Sequence, residues 1–445
     1  MSAHHSSRAR PAYRPLAGLL LGALAWLACG DRSGPDASAA PSASEGSRPG
    51  GAGADTALVR LAMDLLPEVE ERSGIHASRP PALASSSRER LEGFLSRALA
   101  EQLPEQKAEA VAATYARLGL LPDTLELVPL FRSLLLEQVV GYYDPRRDTL
   151  YVVEGVQEGQ LKPILVHELV HALQDQHTDL DSLTRSVERD NDRAAAAQAA
   201  LEGHATYVMM EWLLSAQMGA SADLTAMPDL GSLLGGIDPS LLAGTPVLRD
   251  APRIIRESLI FPYMGGLAFL QRVWTAESDR PLPFGADMPE SSEQVLHPDR
   301  FLGERDRPSR VVFTEDPPVP WSEIHSDGLG ELEVRIFLEE HLADPEVAAV
   351  AGEGWDGDRY RLLRDGAREV LLWSTVWDSE RDAEEFEEAV RRAFERRYAD
   401  APGARVVRVE RSRAVGRPTV VILDAPRGVN PSSLEPALRF EVHGG

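Results

Sequence analysis

The chain has 445 residues, 43% of them hydrophobic, a formal net charge of −24 and one cysteine. Its length and apolar content suffice for two or three cored domains, so it is not a disordered chain overall. The acidity disfavours nucleic acid and anionic lipid as partners and reads first as keeping the chain soluble, with attraction of cationic peptides the alternative, while a lone cysteine leaves no intrachain disulfide to hold the fold.

A basic, acid-free segment with Arg8, Arg10 and Arg14 is followed by an uncharged apolar stretch over 16–28. This fits an export signal and is too short for a comfortable membrane span. Cys29 closes the stretch. The run Leu24-Ala25-Trp26-Leu27-Ala28-Cys29-Gly30 resembles a bacterial lipoprotein signal, with Trp26 in place of the usual aliphatic residue. That resemblance implies lipidation of Cys29, a place in the cell envelope and no membrane contact beyond the N-terminal lipid anchor. Ordinary cleavage after Ala23-Leu24-Ala25 is the alternative, and both readings export the protein. Residues 1–29 thus read as a signal segment, and 30–54, built of Gly, Ser, Ala and Pro, as a disordered tether.

Folded sequence starts near Leu58, where Leu58, Leu61, Leu65 and Leu66 recur at helical spacing, and helical patterns return over 90–103 and 105–118. Strands over 138–143 and 149–153 flank a turn at Asp144-Pro145-Arg146-Arg147-Asp148. The next helix is expected from Lys162-Pro163 to about His177, with proline near its start. An alanine-rich helix over 193–212 suits tight packing against it. Beyond Pro308 the pattern predicts a helix over 329–342, strands over 360–363 and 369–375, a helix over 383–397, and strands over 406–409 and 419–423. The expected fold class is α+β: a mainly helical domain with a small sheet over 55–307, and a smaller C-terminal α+β domain over 308–445. Gly354-Trp355-Asp356-Gly357-Asp358 lacks the later acid of a calcium loop and reads as a tight turn.

The chemistry concentrates in His167-Glu168-Leu169-Val170-His171. Residues four apart on a helix are about 40° apart around the axis and about 6 Å along it, so the two imidazoles aim at one ion. Glu168, about 100° round from His167, is placed to take a proton from water without capturing the metal. Apolar Ile164, Leu165, Val166, Leu169, Val170, Ala172 and Leu173 surround the motif, and a buried helix does not carry such groups unpaired without cost. Zn2+ suits them.

Two residues compete as third ligand. His177 stands where metzincin peptidases place a third histidine, but Gln174 occupies the position of their helix-breaking glycine. On an unbroken helix His177 lies about 15 Å along from His167 and about 80° off its face. Glu202, in Ala199-Ala200-Leu201-Glu202-Gly203-His204-Ala205, is an acid on an otherwise apolar helix, and Gly203 permits close approach. This arrangement resembles the gluzincin clan of zinc peptidases, in which a glutamate on a downstream helix completes the site. The stretch 167–180, Phe261-Pro262-Tyr263 with Gly266, and Ser292-Glu293-Gln294-Val295-Leu296-His297-Pro298 together resemble a group of bacterial and archaeal predicted metallopeptidases, over about residues 58–390. The resemblance implies a zincin-like fold, His167, His171 and Glu202 as metal ligands, Glu168 as catalytic base, and hydrolysis of peptide or protein substrates.

An oxyanion donor is expected among Tyr263, His297, His204 and Tyr207, and Asp175 is a candidate to orient His171. The strand over 149–153 is a candidate edge for pairing with an extended peptide. Two other function classes fit the sequence: a non-catalytic envelope protein with a structural zinc, and a zinc hydrolase of non-peptide amides.

Overall fold

The computed structural model describes residues 51–144, 146–235 and 246–444. The signal segment, Cys29 and the tether as far as residue 50 lie outside the described residues. Among the described residues no helix is long and apolar enough to cross a membrane. The fold is α+β, as the sequence pattern predicts.

The first part runs α1 (Gly51–Ser73), β1 (Ala82–Ser86), α2 (Arg88–Gln102), α3 (Glu105–Leu118), α4 (Leu127–Gln138), β2 (Gly141–Asp144), β3 (Thr149–Val153), α5 (Glu158–Thr178), α6 (Leu180–Val187), α7 (Asn191–Met218) and α8 (Arg253–Ala276), with short helices between and after. Helix α1 starts inside the last four residues assigned to the tether. The motif helix α5 starts four residues before Lys162, so Pro163 lies within it. It ends where Asp179 turns left-handed (φ 55), and the Asp179 side chain then accepts from Ser182 N and starts α6. Helix α7 is capped by Asp190, whose side chain accepts from Arg193 N, and stops at left-handed Gly219.

The strands form a three-stranded sheet in the order β1-β3-β2, with β1 parallel and β2 antiparallel to β3. This overturns the expectation for 149–153. Strand β3 is central, bonded on both sides, because β1 takes the edge that the sequence left open. Its Ala-Leu-Ala-Ser-Ser composition carries no β-branched or aromatic residue to announce a strand. The edge nearest the motif is β2: a Cβ on Gly141 would stand 2.8 Å from Ile164 Cγ2 and 3.3 Å from Glu168 Cγ, so glycine lets β2 lie against α5.

The C-terminal part comprises β4 (Arg310–Phe313), β5 (Ser322–Asp327), α9 (Gly330–Leu342), α10 (Pro345–Gly352), β6 (Trp355–Asp365), β7 (Arg368–Trp377), α11 (Glu380–Arg397), β8 (Arg405–Ala414), β9 (Arg417–Pro426) and β10 (Phe440–His443). Its antiparallel five-stranded sheet has the order β5-β6-β7-β9-β8, and β4 pairs with β10. On one face Trp373, Trp377, Phe386, Phe337 and Phe394 join a core that continues through Tyr115, Phe131, Leu134, Leu259 and Tyr263 of the first part. The other face buries Trp321, Leu363, Leu372, Leu423 and Leu434. One apolar core therefore crosses the 307/308 boundary. The acids of 354–358 serve the fold: Asp358 accepts from Leu329 N, Gly330 N and the indoles of Trp355 and Trp373, and Asp356 from Ser309.

Helices α7 and α8 meet backbone to backbone. A Cβ on Gly203 would lie 2.3 Å from the Gly266 carbonyl carbon, and one on Gly266 would lie 2.1 Å from the Ala199 oxygen. Gly266→Ala is therefore expected to lower unfolding stability by about 1–3 kcal/mol through overpacking, read by urea denaturation. Gly159→Ala, with nothing within 4 Å of its Cβ position, is the control and is expected to be far milder.

Candidate metal centre

Helix α5 presents His167, Glu168 and His171 on its inner side, and α7 brings Glu202 against them. All four are buried, at 1% exposure or less. His171 Nε2 lies 3.1 Å from His167 Nε2, and Glu202 Oε2 lies 3.2 Å from His167 Nε2 and 3.3 Å from His171 Nε2. Neighbouring ligand atoms around a tetrahedral zinc with bonds of about 2.0–2.1 Å stand about 3.3 Å apart, and two imidazole nitrogens with a carboxylate oxygen are donors zinc takes. The residues fit that ion, and the sequence-derived ligand set converges on one point. His177 does not join it: α5 continues unbroken, and His177 lies exposed with its ring 6.1 Å from that of Phe284.

A chain of hydrogen bonds fixes how His171 faces this point. His204 Nε2 donates to the Ser73 carbonyl (3.1 Å), so its Nδ1 accepts from Gln174 Nε2 (3.0 Å), which also donates to Leu201 O (3.0 Å). The Gln174 amide is thereby oriented with Oε1 toward His171 Nδ1, at 2.8 Å. Because that oxygen only accepts, His171 keeps a proton on Nδ1 and turns Nε2 inward as the nitrogen that can ligate once its own proton leaves. Burial holds the His204 ring at about 3, so it stays neutral and can play the acceptor part. Sequence reasoning registered Gln174 only as a missing glycine. Its spacing of three from His171, on the same side of the helix, was the available signal.

The electrostatics agree with a cation-binding point. Burial alone would raise the Glu202 carboxyl, but the charge of His171 and hydrogen bonds from both rings outweigh it and hold the group at about 2. Burial would likewise lower His171, yet Glu202 raises it to about 9. His167, for which burial dominates, is lowered. The proton on His171 Nε2 thus stands where a divalent ion would, and ion binding releases it. Glu168 is different: its buried carboxyl makes no side-chain hydrogen bond among the described residues, and burial raises the group to about 8 against the pull of His171 and of the nearby Tyr143 backbone N–H.

Of the four candidate oxyanion donors, only Tyr263 of α8 is at the centre, its ring stacked on His167 at 6.2 Å. His204 belongs to the chain behind His171. Tyr207 packs its ring on Trp274 at 4.7 Å, about 140° round α7 from Glu202. His297 Nε2 lies 2.9 Å from Glu331 Oε1 and 2.9 Å from the Arg335 guanidinium, on α9. Asp175 does not orient His171. Its carboxylate accepts from Tyr143 OH (2.7 Å) and Leu180 N (2.9 Å) and ties α5 to β2 and α6. A second acidic cluster, Glu293, Asp306 and Asp378, already contains the Arg300 guanidinium, which pairs with both aspartates.

Residues 318–430 match a family model described as "Domain of unknown function (DUF8575)". The match covers the five-stranded sheet with α9–α11 and none of the metal centre. No curated protein and no solved structure matches the chain.

Gln174→Leu removes the acceptor that fixes the His171 tautomer while keeping volume. Zinc affinity, titrated against a chromophoric chelator, is expected to fall about 10–100-fold, whereas Asp175→Asn is expected to leave it within about threefold.

Proposed function

We propose that the protein is a zinc-dependent hydrolase of peptide bonds that acts outside the cytoplasm, held in the cell envelope by a lipid on Cys29. The observation that carries the reading is the pairing of two unlike features within one buried centre. Three donor atoms stand 3.1–3.3 Å apart, and the adjoining buried Glu168 carboxyl makes no side-chain hydrogen bond among the described residues.

His167, His171 and Glu202 would hold the ion. Zinc, when bound, supplies a Lewis acid that makes water a nucleophile at neutral pH and polarises a carbonyl. Glu168 takes the proton of the attacking water and returns it to the leaving amine. Tyr263, whose ring stacks on His167, is the candidate donor to the developing oxyanion. Gly141 keeps the Glu168 side chain where it is by leaving room for it under β2.

The complete burial of the centre favours a second reading, a structural zinc that staples α5 to α7. An unpartnered acid beside the ion serves no purpose in a staple, and burying it is costly. The experiment that decides is Glu168→Gln. Loss of peptide cleavage by about 10²–10⁴-fold at unchanged zinc content is the expected result. A wild-type protein that binds one zinc and cleaves no peptide in a broad library, with Glu168→Gln more stable than wild type, would establish the staple instead.

A further inference from the structure

Outside the metal centre a cleft lies between α3, α4, α7, α8 and the start of α9. Its distance from the centre follows from two helices. Helix α7 places Gln198 in the cleft wall and Glu202 one turn later, and α8 places Leu259 in the wall and Tyr263 one turn later. The helices run parallel, since Gly203 meets Gly266 and, further along both, Tyr207 meets Trp274. The cleft is therefore on the same side of the centre on both, about 6 Å along their axes.

The walls are mainly apolar, and their charged groups are two acids, Asp192 and Glu333. The Glu333 carboxylate accepts from Tyr115 OH (2.8 Å) and Asn191 Nδ2 (3.0 Å), and Asp192 Oδ1 accepts from Ser292 N (3.0 Å). No lysine, arginine or histidine lines the cleft, and neither acid has an ion-pair partner among the described residues. Ser258 Oγ is buried without a partner, and Pro262, four residues on, has no N–H to give the Ser258 carbonyl. Gln198, 9% exposed, lines the space and makes no side-chain hydrogen bond among the described residues. Burial pushes the Glu333 carboxyl up to about 8, as expected for an acid lacking a cation.

Surplus acceptors in an apolar-walled space are satisfied by a group with an apolar shaft and a donor-rich cationic end, the form of lysine and arginine side chains. We propose that this cleft receives a lysine or arginine side chain of the substrate next to the cleaved bond, with Glu333 of the C-terminal part as the residue that sets the preference. The inference rests on the peptidase reading of the neighbouring centre. The net charge of −24 acts in the same sense by attracting cationic peptides.

Binding tests it apart from cleavage. The zinc-loaded full chain carrying Glu168→Gln is titrated by fluorescence anisotropy with two labelled pentapeptides that differ only in a central arginine or norleucine. The arginine peptide is expected to bind at least about tenfold tighter, and adding Glu333→Gln is expected to bring the two within about threefold. Ser258→Val fills the opposite wall without touching the acid and guards against a folding defect in the first variant. It is expected to abolish the arginine preference as well. Equal affinity of the parent for both peptides, or a preference that survives both variants, overturns the proposal. A wild-type enzyme that cleaves peptides without basic preference would leave the peptidase reading standing and sink this one. Preferential arginine binding without any cleavage would do the reverse.

Discussion

Burying a carboxylate is the constraint from which the rest of this structure follows. Glu202 lies 1% exposed on the inner side of an alanine-rich helix, and such a charge persists only where positive charge meets it. No lysine or arginine does so here. Two imidazoles from a different helix converge on one of its oxygens instead, and neither can be displaced without stranding the acid. The register of α5 against α7 is therefore set by chemistry as much as by packing. A shift of one residue on either helix would turn a ligand away by about 100°.

That register has to be held to a fraction of an ångström, and the means are short contacts and saturated hydrogen bonds. The α7–α8 contact through Gly203 and Gly266 lets Tyr263 reach the His167 ring, which a wider helix spacing would prevent. The bonds from Ser73 through His204 and Gln174 to His171 join the end of α1, α7 and α5 with hardly a free donor along the way. Such a chain is stiff because breaking any one bond leaves a buried polar atom without a partner. Glu168 sits beside this saturated scaffold without a side-chain hydrogen bond, the contrast that the proposed division between positioning and reacting groups calls for.

Much of this was legible in the sequence. The four-residue spacing of His167 and His171, and an isolated acid on an alanine-rich helix, are statements about single helices, which periodicity encodes directly. The helices and main strands of the C-terminal part were equally readable, since Phe386, Val390 and Phe394 of α11 and the alternating strands carry strong patterns. What failed concerned neighbours in space. Strand β1 has too little β-forming character to show itself, so β3 passed for an edge. Asp175 is one turn from His171 but turns to Tyr143, a partner 32 residues away. Gln174, His204 and Ser73 form one unit that no local spacing connects. Gly141 looks like any strand glycine until Glu168 is seen beneath it.

The same limit explains the boundary near residue 308. Composition and element order change there, and sequence reasoning reads such a change as two domains. Yet Phe337 and Trp373 on one side share a core with Tyr115, Phe131 and Leu259 on the other, and the Gly330 turn closes directly over the Asp192 carboxylate at the start of α7. Glu333 reaches across to Tyr115 and Asn191. Cutting the chain at this boundary would expose both halves of one apolar surface and leave three buried polar groups without partners, each loss opposing the folding of either part. The C-terminal part is thus a wall of the first part, and the helices that carry the candidate metal ligands are held in place from both sides of the boundary.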